Sequence, residues 1–229
     1  FSIDGDETTH DAIRGNGNWK RTIQGFERVR DADAEMGNAR RKILANAILH
    51  AQNLASFEDV LDDLKARGFD GVQVLTLFRS DQTHGDDPAE AMRLLPRHHD
   101  AVETLAHRLA ERAERQDSNG FQIQNQPAEL RRIPEFHKRT LTPLEAPCWA
   151  GWKELYIHSD GRAIMCDGNL DFLNGSFGDV RRQTLRELWQ SPELKARRSV
   201  VKSCSTPCIQ DCYLRPESDS SPKICLPVW

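Results

Sequence analysis

The sequence predicts an α/β protein that carries a separate cysteine-rich module at its carboxyl end. Two observations carry this prediction. Between residues 1 and 80 the apolar pattern alternates between short runs suited to buried strands and helical stripes of period three to four, the order that builds a parallel sheet with helices outside it. All six cysteines lie after residue 147, at Cys148, Cys166, Cys204, Cys208, Cys212 and Cys225.

Each element follows from local chemistry. Phe1 to Gly5 reads as the end of a strand entering a turn, so the chain is expected to be a fragment. Trp19, Ile23, Phe26 and Val29 recur as one face of a helix, with the charged run 28–35 on its wet side. Lys42 to Leu49 suits a buried strand. Asn53 or Ser56 is placed to cap a helix bearing Phe57, Val60, Leu61 and Leu64, which Gly68 ends where a left-handed residue is wanted. Val72 to Phe78 forms the next strand, and the polar stretch 79–88 is a loop at its carboxyl end, where α/β sheets place ligands. Residues 89–116 are helical in composition, with Ala101, Leu105 and Leu109 on one face, and Asp100 of His98-His99-Asp100 starts the helix better than it serves a metal site. The stretch from Pro127 to Pro147 holds four prolines and no sustained period, so it reads as a connector, with the domain boundary near residue 145. The domains are thus expected at 1–145 and 146–229.

The module beyond that boundary has its own logic. Asp160-Gly161 between Leu155, Ile157, Ala163 and Ile164 signals a β-hairpin that carries Cys166 at its end. Thr184 to Trp189 forms a short helix, and Ser191-Pro192 caps and opens another that leads back to Cys204. The tryptophans at 149, 152 and 189 belong to a core.

Closely spaced thiolates on a loop, completed from a distant hairpin, are what an iron–sulfur cluster requires. Structural zinc would accept the same set. Six is also an even number for disulfides, but an acidic chain without a signal segment argues against an oxidising compartment. The ranking is cluster, then zinc, then disulfide. The formal net charge of −4 supplies no broad basic field, so nucleic acid is not the expected partner. No run reaches the roughly 18 to 20 apolar residues that span a bilayer, so neither membrane insertion nor export is expected and the chain reads as cytoplasmic.

The run Cys148-Trp149-Ala150-Gly151-Trp152, the hairpin ending in Cys166, Gly178-Asp179-Val180 followed by Thr184 to Trp189, and the terminal cysteines resemble the SPASM domain, the auxiliary-cluster extension of radical S-adenosylmethionine (SAM) enzymes. Ser2-Ile3-Asp4-Gly5, His10-Asp11 and Ile13-Arg14-Gly15 resemble the fourth strand of the radical SAM barrel and the turn after it. That resemblance implies the second half of a (β/α)6 partial TIM barrel, followed by a small SPASM or twitch domain with its hairpin. It implies one auxiliary [4Fe-4S] cluster held by four of the six cysteines with two to spare, the alternative being two clusters with open coordination, and SAM in the full-length enzyme, contacted by Ser2 and Asp4. Asp4 equally suits the turn with Gly5. Asp167, directly after Cys166, resembles a general base in the sulfatase-maturing branch, although Asp167-Gly168 is also a turn dipeptide.

The implied partners are a peptide or protein substrate and an electron donor such as flavodoxin or ferredoxin. The implied reaction is an oxidation or cross-link begun by hydrogen abstraction. The family's CxxxCxxC has no counterpart here, since no cysteine precedes Cys148, which fits either a fragment, the favoured reading, or a degenerate member without radical chemistry, so these 229 residues are expected not to cleave SAM alone. The cysteine spacing 204, 208, 212 also departs from the family's later C-x2-C-x5-C-x3-C pattern. The alternative is a non-enzymatic zinc- or cluster-binding module that recognises peptides.

Overall fold

The computed structural model describes residues 1–36, 41–77, 91–115, 120–142, 148–153, 155–165 and 175–202. They divide into two compact units, one made of the described residues up to Lys138 and the other beginning at Arg139.

The first unit is a four-stranded parallel sheet in sequence order: β1 (Ser2–Ile3), β2 (Leu44–Leu49), β3 (Gly71–Thr76) and β4 (Gln122–Ile123). Between the strands run α1 (Glu7–Arg14) and α2 (Asn18–Glu35), then α3 (Phe57–Ala66), then α4 (His99–Arg115). Strand alternation sorts the side chains by face. Ile3, Ala45, Ala47, Leu49, Val72 and Val74 are buried, as are Ile23 and Phe26 of α2, Leu61 and Leu64 of α3, and Leu105 and Leu109 of α4. Phe26 and Phe69 stack at 3.9 Å between ring centroids within this core.

The expected order of strands and helices holds for the first three strands, and the structure adds to it. Gln122–Ile123, to which the sequence assigns no element, supplies β4. Two residues of strand are too short for a periodic signal. Of the expected connector, Pro127–Arg131 is α5 and Ile133–Lys138 is α6. Pro127 lies in the first turn of α5, where a missing N–H leaves no hydrogen bond unmade. Three further differences are local. Val29 is exposed, because the α2 stripe continues from Phe26 to Arg30, whose guanidinium lies over the Phe26 ring. The buried face of α4 is Val102, Leu105, Ala106, Leu109 and Ala110, and Ala101 points outward. Ser56 occupies the N-cap of α3 without a side-chain bond, and Asn53 is committed elsewhere. Gly68 does end α3 with φ of 91°.

The second unit contains a three-stranded antiparallel sheet: β5 (Tyr156–Ile157), β6 (Arg162–Ile164) and β7 (Gly178–Asp179). The expected hairpin is present, turning through His158 to Gly161, where Gly161 has φ of 85°. Two helices follow, α7 (Leu185–Gln190) and α8 (Pro192–Lys202). A reciprocal box caps α7: Glu187 N–H donates to Thr184 Oγ1, and Thr184 N–H donates to Glu187 Oε2. Ser191 Oγ accepts from Leu194 N–H at the start of α8, as its sequence position predicted. Leu188, Leu194 and Val201 of these helices join Ala150, Ala163, Met165 and Phe177 in one apolar cluster, with Trp152 and Trp189 packed at its margin.

Candidate functional site

At the carboxyl end of β1 the chain turns through Asp4, and every polar group of that residue is held. Its main-chain N–H donates to His10 Nδ1 at 3.2 Å. Its carbonyl accepts from His50 Nε2 at 2.7 Å and from Asn53 Nδ2 at 2.9 Å. Its carboxylate, 4% exposed, pairs with Arg14 through Nε and, at 3.3 Å, through Nη2. His10 and Asp11 therefore belong to helix α1, and the turn expected at them is formed instead by Asp4, Gly5 and the cap residue Asp6, whose Oδ1 accepts from Thr9 N–H.

The partners assign the tautomer of both imidazoles. His10 accepts at Nδ1, so its proton sits on Nε2 and is given to Asn18 Oδ1, 3.1 Å away. His50 donates through Nε2 and accepts at Nδ1 from Gln52 N–H at 3.2 Å. Burial pushes the His50 pKa below its usual value, against the pull of the Asp4 carbonyl and carboxylate. The Asp4 carboxylate pushes the Arg14 pKa further up. Asn53 completes the knot, with Oδ1 accepting from His50 N–H and Nδ2 donating also to the Ile48 carbonyl. This knot joins the carboxyl ends of β1 and β2, the edge at which open α/β sheets bind ligands.

Of the two residues expected to meet a cofactor here, Ser2 is exposed, on the sheet face opposite the buried side chains, beside Asn46 in register. Asp4 is buried and committed to Arg14. Arg14, His10, His50 and Asn53 were not singled out for this role. The His-Asp and Ile-Arg-Gly runs held the signal for the first two, but nothing in residues 50–53 announces a bond to a carbonyl forty-six positions earlier.

In the second unit Cys148 is half-buried and packs against the apolar cluster. Gly151 turns the chain there with φ of 78°, and a Cβ at that position would lie 2.5 Å from Met165 Sδ. Met165 ends the described part of the hairpin, so glycine brings the residue before Cys166 against the turn that carries Cys148. Arg198 of α8 closes the same turn. Its Nε donates to the Gly151 carbonyl at 2.7 Å and its guanidinium lies 4.8 Å over the Trp189 ring. Cys166, Asp167, Cys204, Cys208, Cys212 and Cys225 lie outside the described residues. Among the described residues no three His, Cys, Asp or Glu side chains converge as a metal site. The Cys148 thiol, set beside an apolar cluster, has the donor chemistry and the partial shelter that thiolate-held iron–sulfur clusters use.

Comparison with known proteins bears on both units. Residues 148–213 match the model of the SPASM family, an iron-sulfur cluster-binding domain. Native anSMEcpe with bound AdoMet and Kp18Cys peptide has a similar fold, with a TM-score of 0.53 at 15% identity, over 86% of this chain and 51% of that one. Native anSMEcpe with bound AdoMet and Cp18Cys peptide gives 0.55 at 16% identity over the same shares. The chain thus spans about half the length of the solved structures it matches. No curated protein matches it. Among the described residues no helix is long and apolar enough to cross a membrane.

Proposed function

We propose that this chain, which carries a SPASM iron–sulfur domain at residues 148–213, is the carboxyl-terminal part of a radical SAM enzyme that oxidises or cross-links a peptide or protein. One observation carries the reading: a parallel α/β sheet is followed in the same chain by the SPASM match, and a peptide-bound enzyme shares that fold. The first unit is then the second half of a (β/α)6 partial barrel, with domains at 1–145 and 146–229. SAM in the complete enzyme would meet Ser2 and the turn at Asp4.

Cys148, Cys166, Cys204, Cys208, Cys212 and Cys225 are the thiolates from which the ligands of an iron–sulfur cluster would come, and that cluster would supply one-electron chemistry when bound. The chain's own residues account for the remainder. Asp167 would take the proton that the substrate releases after losing a hydrogen atom. Flavodoxin or ferredoxin is the matching class of electron donor. Cys148 leads into the turn at Gly151, which lies against Met165 and whose carbonyl accepts from Arg198 Nε.

Anaerobic purification with iron, sulfide and zinc counted per chain tests the cysteine assignment. Iron with equal sulfide is expected, and Cys148→Ala should lower both. A colourless chain loaded with zinc would replace this reading with the non-enzymatic peptide-recognition module. SAM cleavage by the 229 residues alone would refute the assignment of radical generation to a CxxxCxxC outside them.

A further inference from the structure

The turn that follows Cys148 closes on itself: Trp152 N–H and Lys153 N–H both donate to the Trp149 carbonyl at 3.0 Å. The Gly151 carbonyl takes its bond from outside the turn, from Arg198 Nε of α8 at 2.7 Å. The Arg198 stem lies on the same glycine, with Cγ 3.5 Å from where a Cβ would stand. Its guanidinium covers the Trp189 ring at 4.8 Å. Both partners are neutral, and among the described residues no carboxylate pairs with Arg198. Arg162 and Arg181 of the same unit differ, for each is paired, with Asp160 and Asp179 respectively. Burial pushes the Arg198 pKa down, and no anion opposes it.

A half-buried guanidinium without a counter-ion loses hydration that neutral partners only partly replace. Packing alone does not call for it, since an unbranched apolar side chain would fill the same space. What the charge can act on lies close. Cys148 precedes Gly151 by three positions, so their Cα atoms are at most about 11 Å apart. Cys148 and Trp189 also pack against the same apolar cluster. A thiolate-held cluster gains negative charge on reduction, and the charge and hydrogen bonds around it set its potential. We propose that Arg198 tunes the redox potential of a cluster held at Cys148, its positive charge favouring the reduced form. It is a positioning residue, which touches no reacting atom and acts through the Cys148 turn. This rests on the cluster reading above and adds to it a raised potential, the property that suits a centre taking up an electron.

The test is an anaerobic redox titration of the full 229-residue chain, followed by electron paramagnetic resonance, with iron, sulfide and zinc counted on each preparation. The signal to follow is the one that Cys148→Ala removes. At about 10 Å and an effective dielectric constant of about 20, one unit charge shifts a one-electron equilibrium roughly tenfold, or ~59 mV. Arg198→Met keeps the length and the apolar stem without the charge, and should lower the midpoint by about that amount. Arg198→Lys keeps the charge and loses the planar fork, and should stay near the wild type. A merely structural tie would instead lose iron in both variants and leave the remaining centres at an unchanged potential. Arg198→Gln, neutral but still an N–H donor, reads the same shift where Arg198→Met fails to fold. An unchanged midpoint in the neutral variants, or iron lost from both of them, overturns the tuning and leaves the cluster reading standing. A wild-type chain loaded with zinc and free of iron overturns both.

Discussion

His50 Nε2 donates to the main-chain carbonyl of Asp4 at 2.7 Å, and this bond ties the carboxyl end of β2 to that of β1. Burial holds the His50 pKa below its ordinary 6.5, so the folded chain keeps the ring neutral where the unfolded chain begins to take up a proton. Its contribution to stability is complete above pH 6.5 and is lost as pH falls from there toward the folded pKa. Urea midpoints of the wild type and of His50→Gln, compared from pH 8 to pH 5, should converge in the acid range. Parallel curves would remove His50 as the source.

Asp4 and Arg14 make an unequal pair, one carboxylate 4% exposed and one guanidinium 38% exposed. Arg14→Ala leaves the charge of Asp4 buried without its cation and should destabilise the chain by about 3 kcal/mol, the low end for a broken buried pair because half-exposed Arg14 is partly screened. Asp4→Asn removes the charge itself, so its effect should be smaller. Denaturant unfolding ranks the two variants, and the reverse order would show that Asp4 is not desolvated as described.

Asn125 takes the place of a strand residue beside β3. Its Oδ1 accepts from Val74 N–H at 2.7 Å and its Nδ2 donates to the Val74 carbonyl at 2.9 Å, both buried. Asn125→Leu strands two main-chain groups and should destabilise by about 2 to 4 kcal/mol, taking roughly 1 to 3 for each orphaned group and allowing for the added apolar burial. Amide exchange of Val74 should accelerate in this variant. Unchanged protection would mean that another group serves Val74.

Gly178 sits under α7, and a Cβ there would overlap Leu188 and approach Gln183 Oε1 to 2.7 Å. Gly178→Ala should lower stability by about 1 to 3 kcal/mol through overpacking. Gly151→Ala meets Met165 and adds a positive φ, so it should reduce iron content along with thermal stability. Full iron loading in Gly151→Ala would separate the turn from the placing of Cys148.

The sequence by itself determined the kinds of element and the nature of the module. Apolar periodicity is a local signal, so α2, α3, β2, β3 and the β5–β6 hairpin were legible within a few residues. The cysteine grouping pointed to cluster chemistry, which the SPASM match to residues 148–213 supports. Glycine and cap positions also speak locally, which is why Gly68 and Ser191 were read correctly. Helices α5 and α6 were missed because five- and six-residue helices show no period, and their proline content mimics a linker.

Tertiary structure alone decided what the polar residues do. Asp4 could equally have made a turn or met a ligand, and it became a buried partner of Arg14 because α1 returns across the end of β1. His10, His50 and Asn53 converge on its peptide group from positions 6, 46 and 49 residues away, and no pattern along the chain encodes that meeting. Ser2, Asn46 and Gln73 likewise come side by side only once the strands pair in parallel register. Hydrophobic period is written in neighbouring residues, whereas hydrogen-bond partnership and strand register depend on where distant segments come to rest.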